Sequence, residues 1–125
     1  MKDLNRLKIG IRSINQVVMN MSGGQRQAVA VARAVAFGTR VVIMDEPTAA
    51  LGVRESAAVM DLVKAVRDDG VSVVLISHDL PEVFEVADRI TTMRLGRTVA
   101  TVKCCDTSLE TIVGMMTGAK SEVLQ

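Results

Sequence analysis

Apolar positions along this chain fall into two spacings, and the change from one to the other marks the elements. Ser22 precedes an apolar stretch, Ala28 to Phe37, broken only by Arg33, which predicts a helix from about Gln25 to Phe37. Arg40 to Met44 carries VVIM, a continuously apolar run of the kind buried on both faces of a parallel sheet, and it stops at Asp45, Glu46 and Pro47. Val59, Leu62, Val63 and Val66 recur at i, i+3, i+4 and i+7, so one helical face is expected between Val53 and Asp68, with Gly70 closing it. Val71 to Ser77 is a second buried strand and His78 follows it. Asp79-x-x-Glu82 has the form of a capping box for a short helix to about Ala87. Asp88 to Leu95 and Arg97 to Lys103 are expected strands on either side of Gly96, and Ser108 caps a last helix to about Thr117. Residues 1 to 21 read as a short helical and loop lead-in. The alternation of strand and helix makes the fold class α/β with a mostly parallel sheet and flanking helices.

Composition narrows this picture. With 125 residues and no repeat or linker, one domain is the economical reading, and 49% hydrophobic content supports a core. Aromatic content of 2% leaves Val, Ile, Leu, Met and Ala to fill it. Fifteen basic against fourteen acidic residues give a net charge of +1, so no global field draws the chain to nucleic acid or to an anionic membrane. Any phosphate site must be local. No apolar stretch is long enough to span a bilayer, and the start, MKDLNRLKIG, lacks the apolar core of a secretory signal, so a cytoplasmic address is expected. Cys104 and Cys105 are neighbours, poor geometry for an ordinary disulfide, and read as two plain thiols in a reducing compartment.

Both buried strands end in chemically capable residues, Asp45 with Glu46 and Ser77 with His78. In open α/β sheets that edge is where ligands bind. An aspartate there can hold Mg²⁺ through oxygen, and the adjoining Glu46 can address a water as general base, with His78 near the γ-phosphate that the water attacks. Taken alone, an Asp-Glu-Pro after a strand is more often a turn or helix start, and a lone histidine is weaker still. Ser22-Gly23-Gly24-Gln25 likewise reads as the Ser-x-x-Gln capping box of an ordinary helix. Two glycines in that first turn cost roughly 1 kcal/mol each relative to alanine, which makes open backbone N–H groups for an anion a second reading.

The order MSGGQRQ, VVIMDEPT, TAALG and VVLISHD resembles the ATP-binding-cassette ATPase family, and the resemblance extends over essentially the whole chain. It implies a partial P-loop NTPase fold, with residues 1 to about 37 as the end of a helical subdomain and about 38 to 125 as the remainder. It implies that Ser22, Gly23, Gly24 and Gln25 form the signature loop, touching the γ-phosphate of an ATP held by the opposite subunit. Asp45 would then support Mg²⁺, Glu46 would activate water, and His78 would stabilise transition-state charge. Ala49, Ala50, Leu51 and Gly52 form the D-loop, where most members have Asp in place of Gly52, and glycine there looks like the ATPase subunits of bacterial monosaccharide importers of the ribose, fructose and xylose type. The partners implied are a second ATPase subunit, transmembrane permease subunits and, indirectly, a periplasmic sugar-binding protein, with no nucleic acid. The address implied is the inner face of the plasma membrane.

No G-x-x-x-x-G-K-[ST] occurs in these residues, nor the family's adenine-stacking aromatic or Q-loop. The chain is therefore expected to be the carboxyl-terminal half of such a domain, to lack the P-loop strand between the strands ending at His78 and beginning near Asp88, and neither to bind ATP tightly nor to hydrolyse it alone. Unpaired strand edges would favour oligomerisation or poor solubility. Three other readings stand beside this one: an interaction module offering its signature loop to an intact partner, an inert gene fragment, and a soluble ATPase of the same family serving DNA repair or translation.

Overall fold

A computed structural model of the chain describes residues 15–36 and 38–119. Most of the expected lead-in, and Phe37 at the expected helix end, lie outside them. The chain divides into two compact units, Met1–His78 and Asp79–Gln125.

In the first unit a 3-10 turn, Val18–Asn20, leads into helix α1, Gly23–Ala36, then strand β1, Val41–Asp45, helix α2, Val53–Asp68, and strand β2, Ser72–Ile76. β1 and β2 pair in parallel from Val41↔Ser72 to Asp45↔Ile76. α2 begins and ends where its spacing predicts, and all four periodic residues, Val59, Leu62, Val63 and Val66, are buried. Its end is set by Gly70 at φ 84°. The Gly70 N–H donates to Arg67 O at 2.8 Å and the Val71 N–H to Val66 O at 3.2 Å, the two bonds of a Schellman motif.

One expectation needs correction. β1 is buried on one face, not both: Val42 and Met44 face inward, whereas Val41 is 49% and Ile43 68% exposed. On β2 Val74 and Ile76 are exposed in the same alternation. The cause is one-sided cover, because α1 and α2 supply the helical packing against this sheet among the described residues.

In the second unit helix α3, Leu80–Val86, precedes strands β3, Arg89–Arg94, and β4, Arg97–Lys103, a 3-10 turn, Cys104–Asp106, and helix α4, Leu109–Thr117. Asp79 caps α3 by accepting from the Glu82 N–H at 3.2 Å, and Ser108 caps α4 by accepting from the Thr111 N–H at 3.3 Å. β3 and β4 form an antiparallel hairpin, a sheet separate from β1–β2. Leu95 at φ 50° and Gly96 at φ 75° make its turn, the left-handed pair that suits hairpin twist. Ile90, Ala100, Ile112 and Met115 are the core, with Leu80, Val83 and Phe84 packed against it.

Candidate functional site

The site begins with a register. Because Asp45 lies opposite Ile76, the residues just past both strand ends, Glu46 and His78, emerge side by side. The Glu46 N–H continues the ladder by donating to Ile76 O at 2.8 Å. Glu46 Oε1 then lies 2.8 Å from His78 Nδ1. A carboxylate only accepts, so this contact selects the tautomer with a proton on Nδ1 and the lone pair on Nε2, or the doubly protonated ring. The His78 side chain is largely exposed and that of Glu46 about one-third so.

Glu46 occupies the left-handed region at φ 46°, and Ala50, four residues on, does so at φ 61°. Non-glycine residues held there cost about 1–3 kcal/mol, and such strain clusters where function over-determines the backbone. Two turn hydrogen bonds hold the loop: Ala49 N–H to Glu46 O at 3.1 Å and Leu51 N–H to Thr48 O at 3.0 Å.

The signature segment sits on the N-terminus of α1. Ser22 Oγ accepts from the Gln25 N–H at 3.3 Å and Gln25 Oε1 accepts from the Ser22 N–H at 3.1 Å, so the capping box is complete. Gly23 is a packing glycine: a Cβ there would overlap Leu51 Cδ2. Gly24 is not, since its nearest neighbour would be Glu55 Cβ at an ordinary 3.5 Å. Gly52 is the N-cap of α2, and its N–H donates to Glu55 Oε2 at 3.2 Å. Glycine serves that cap almost as well as Asp but brings no charge.

These pieces meet around one open, mainly polar cleft of about 380 Å³. Gly23, Arg26 and Gln27 of α1 form one side, Glu46, Pro47 and Ala49–Leu51 the other, with Glu55 at the rim. The structure thus brings Glu46, Gly23, Ala49, Ala50 and Leu51 together, and Glu46 with His78. Ser22, Gly24, Gln25, Asp45, Gly52 and His78 do not line the cleft. Asp45 is exposed at the end of β1. Its single carboxylate suits Mg²⁺, which is usually held by one or two carboxylates together with phosphate and water. Among the described residues no cluster of three or more His, Cys, Asp or Glu could hold an ion by itself. Arg26, Gln27 and Glu55 were missed in the sequence. Arg26, whose Nη1 donates to Met21 O at 3.1 Å, lies three positions from Gly23, and Gly52-x-x-Glu55 has capping-box spacing, so a signal existed for both.

A family model described as ABC transporter matches residues 1–49. The fructose import ATP-binding protein FrcA of Rhizobium meliloti is 59% identical over 110 residues, 88% of this chain and 42% of that protein. The xylose/arabinose import ATP-binding protein XylG of Sulfolobus acidocaldarius is 46% identical over 116 residues, 93% of this chain and 46% of that protein. Among solved structures, the dimeric ATP-binding cassette MJ0796 in a post-hydrolysis state with ADP and Pi superposes with TM-score 0.66 and 31% identity, over 82% of this chain and 44% of that one. An inward-facing ABC transporter of the metal-chelate type, 22% identical, shares the fold with TM-score 0.76 over 94% of this chain and 47% of that one. Fold, motif order and relatives together place this chain in the ATP-binding-cassette transporter ATPase family. Within it, the sequence lies close to the sugar import ATP-binding proteins. The chain spans less than half the length of FrcA and of XylG.

Proposed function

We propose that these residues supply the water-activating side of an ATPase that powers sugar import, acting on a nucleotide whose phosphates are gripped by a P-loop outside this sequence. The observation that carries the reading is the Glu46–His78 contact of 2.8 Å, made by two residues that only the parallel register brings together. MgATP, when bound, would supply the γ-phosphoryl group and the countercharge, with Asp45 on the ion. Glu46, fixed by its backbone bond to β2, takes a proton from water as general base. His78 orients that carboxylate through Nδ1 and presents Nε2 as a second polar group to the same water or to phosphate oxygen. The open N–H groups of Gly23 and Gly24, at the positive end of α1, suit a phosphate held by a second ATPase subunit. Permease subunits and a sugar-binding protein would complete the machine at the inner face of the membrane. The chain itself has no helix long and apolar enough to cross a membrane among its described residues.

The test is reconstitution. The chain is assayed for ATP hydrolysis alone and after co-expression with the complementary, P-loop-bearing part of the fructose-import relative. Turnover is expected only in the reconstituted protein. Glu46→Gln should cut it roughly 10²–10⁴-fold, the usual contribution of a general base. Turnover by the chain alone, or a reconstituted enzyme indifferent to Glu46→Gln, would overturn the reading.

A further inference from the structure

Gly52 caps α2 without a side chain, and its backbone does not explain why. Its φ of −76° and ψ of 164° are open to any residue, so the conformation does not ask for glycine. A Cβ there would meet nothing nearer than Glu55 Oε2 at 3.8 Å, an ordinary contact. The Glu55 side chain folds back over this bare position. Its Oε2 accepts from the Gly52 N–H at 3.2 Å, while the N–H groups of Glu55 and Ser56 both donate to Gly52 O at 2.9 Å. Gly52 is therefore held at its donor by a side chain and at its acceptor by the first turn of the helix.

That bond is the last of a series along the loop. The Glu46 N–H donates to Ile76 O, Ala49 N–H to Glu46 O, Leu51 N–H to Thr48 O and Gly52 N–H to Glu55. Glu46 at φ 46° and Ala50 at φ 61° keep this loop in the left-handed region at two places, which persists only where the surroundings hold it. β2 fixes the first end and Glu55 the second. The stem of Glu55 has a further neighbour, because a Cβ at Gly24 would lie 3.5 Å from Glu55 Cβ and 3.6 Å from Glu55 O. Beside it, Leu51 Cδ2 rests on Gly23. Half-buried, Glu55 lines the same cleft as Glu46, Gly23 and Arg26. A glutamate that only caps its helix need touch nothing beyond that first turn. Glu55 also reaches the loop that carries Glu46 and the glycine pair of α1.

We infer that Glu55 is a positioning residue for ATP hydrolysis, holding the Glu46–Gly52 loop through the Gly52 N–H and setting it against the N-terminus of α1. This role rests on the ATPase reading above. Glu55 acts through the loop, and the chemistry stays with Glu46. What the loop requires is an acceptor oxygen, so an amide in place of the carboxylate should serve. A second carboxylate at position 52 should not, since like charges three residues apart on a helix repel and would drive the Glu55 head off the Gly52 N–H.

The test uses the reconstituted protein, with Glu46→Gln as its control. Glu55→Ala should lower kcat about ten-fold and leave KM for ATP within about two-fold of wild type, the pattern of a lost positioning contact. Glu55→Gln keeps an acceptor and should bring kcat back to within about two-fold of wild type. Gly52→Asp should lower kcat while Glu55 is present, and adding Glu55→Gln should recover it. Amide hydrogen exchange, followed by mass spectrometry, should quicken at residues 49–52 of Glu55→Ala and stay slow at Val59, Leu62 and Val66, the buried face of α2. An unchanged kcat, an equal loss in Glu55→Gln, or a raised KM with kcat intact would each overturn the inference. Exchange that quickens throughout α2 would overturn it too, by showing a folding loss. If Glu46→Gln leaves turnover intact, the ATPase reading falls and the positioning role with it. A loss in Glu46→Gln beside an unaffected Glu55→Ala overturns the positioning role alone.

Discussion

Alanine at Gly24 separates what α1 needs in order to fold from what a ligand needs in order to approach. A Cβ at Gly24 comes no nearer than 3.5 Å to any atom it would meet, an ordinary contact with Glu55. Nothing in the folded state therefore opposes it, while alanine reduces the freedom of the unfolded chain. Gly24→Ala should stabilise the protein by about 0.5–1 kcal/mol, toward the lower figure because the site is in the first helical turn. Gly23 differs, because its Cβ would displace the Leu51 methyl. Leu51 is half-buried and its end can swing, at about 0.5–1.5 kcal/mol for an off-rotamer torsion, which offsets the helix gain. Gly23→Ala should fall within about 0.5 kcal/mol of wild type. Urea unfolding followed by circular dichroism reads both values, provided the slopes agree. A Gly24→Ala variant less stable than wild type would refute the reasoning, since it would reveal a fold requirement that the contacts do not contain. If the variant is more stable yet turns over poorly after reconstitution, glycine at 24 is there for backbone access and not for packing.

Other expectations follow from single sites. Thr92 is buried at 4% exposure and its hydroxyl has no hydrogen-bond partner among the described residues, so Thr92→Val should gain about 1 kcal/mol in the same unfolding assay. Gly70 at φ 84° and Gly118 at φ 83° both resist a side chain, but only Gly118 has a neighbour, the Arg94 guanidinium carbon, which its Cβ would meet at 2.7 Å. Gly70→Ala should cost about 1 kcal/mol and Gly118→Ala more, and removing the Arg94 side chain should close the gap. A hydrogen bond from the Cys105 thiol to Asp106, together with the charge on that carboxylate, raises the Cys105 pKa above its ordinary value. Less thiolate is then present at mildly alkaline pH, so alkylation of Cys105 should be slow and should quicken in Asp106→Ala, with the midpoint of its rate–pH profile moving down.

Periodicity carried most of the fold. Four apolar residues at helical spacing, together with Gly70, predicted α2 to its ends, and Gly96 predicted the hairpin. The caps were legible because Ser22, Asp79 and Ser108 act within three residues of themselves. What escaped depends on distance through space. Gly23 answers to Leu51, twenty-eight residues away in sequence, and no local pattern announces that one glycine of the pair is for packing and the other is not. Glu46 at φ 46° was equally hidden, since nothing in Asp-Glu-Pro reports a left-handed turn.

The strands show why an apolar run underdetermines a site. In β2, Val73 and Leu75 lie on one face and Val74 and Ile76 on the other, so a slip of one residue would exchange two apolar sets for each other. Where one face is apolar and the other polar, such a slip is strongly penalised; here the hydrophobic pattern is nearly indifferent to it. The slip would nonetheless carry His78 away from Glu46 by about 3.3 Å, one residue of strand rise. Register must then come from elsewhere, and the end of α2 supplies it. The paired bonds Gly70 to Arg67 and Val71 to Val66 fix where the chain leaves the helix, and Ser72 N–H meets Arg40 O at 3.0 Å as the strand begins. The distance between the two residues proposed to address water is thus set at the far end of the sheet, by a glycine in a helix cap. Gly70 is a positioning residue for the site as well as a stop signal for the helix.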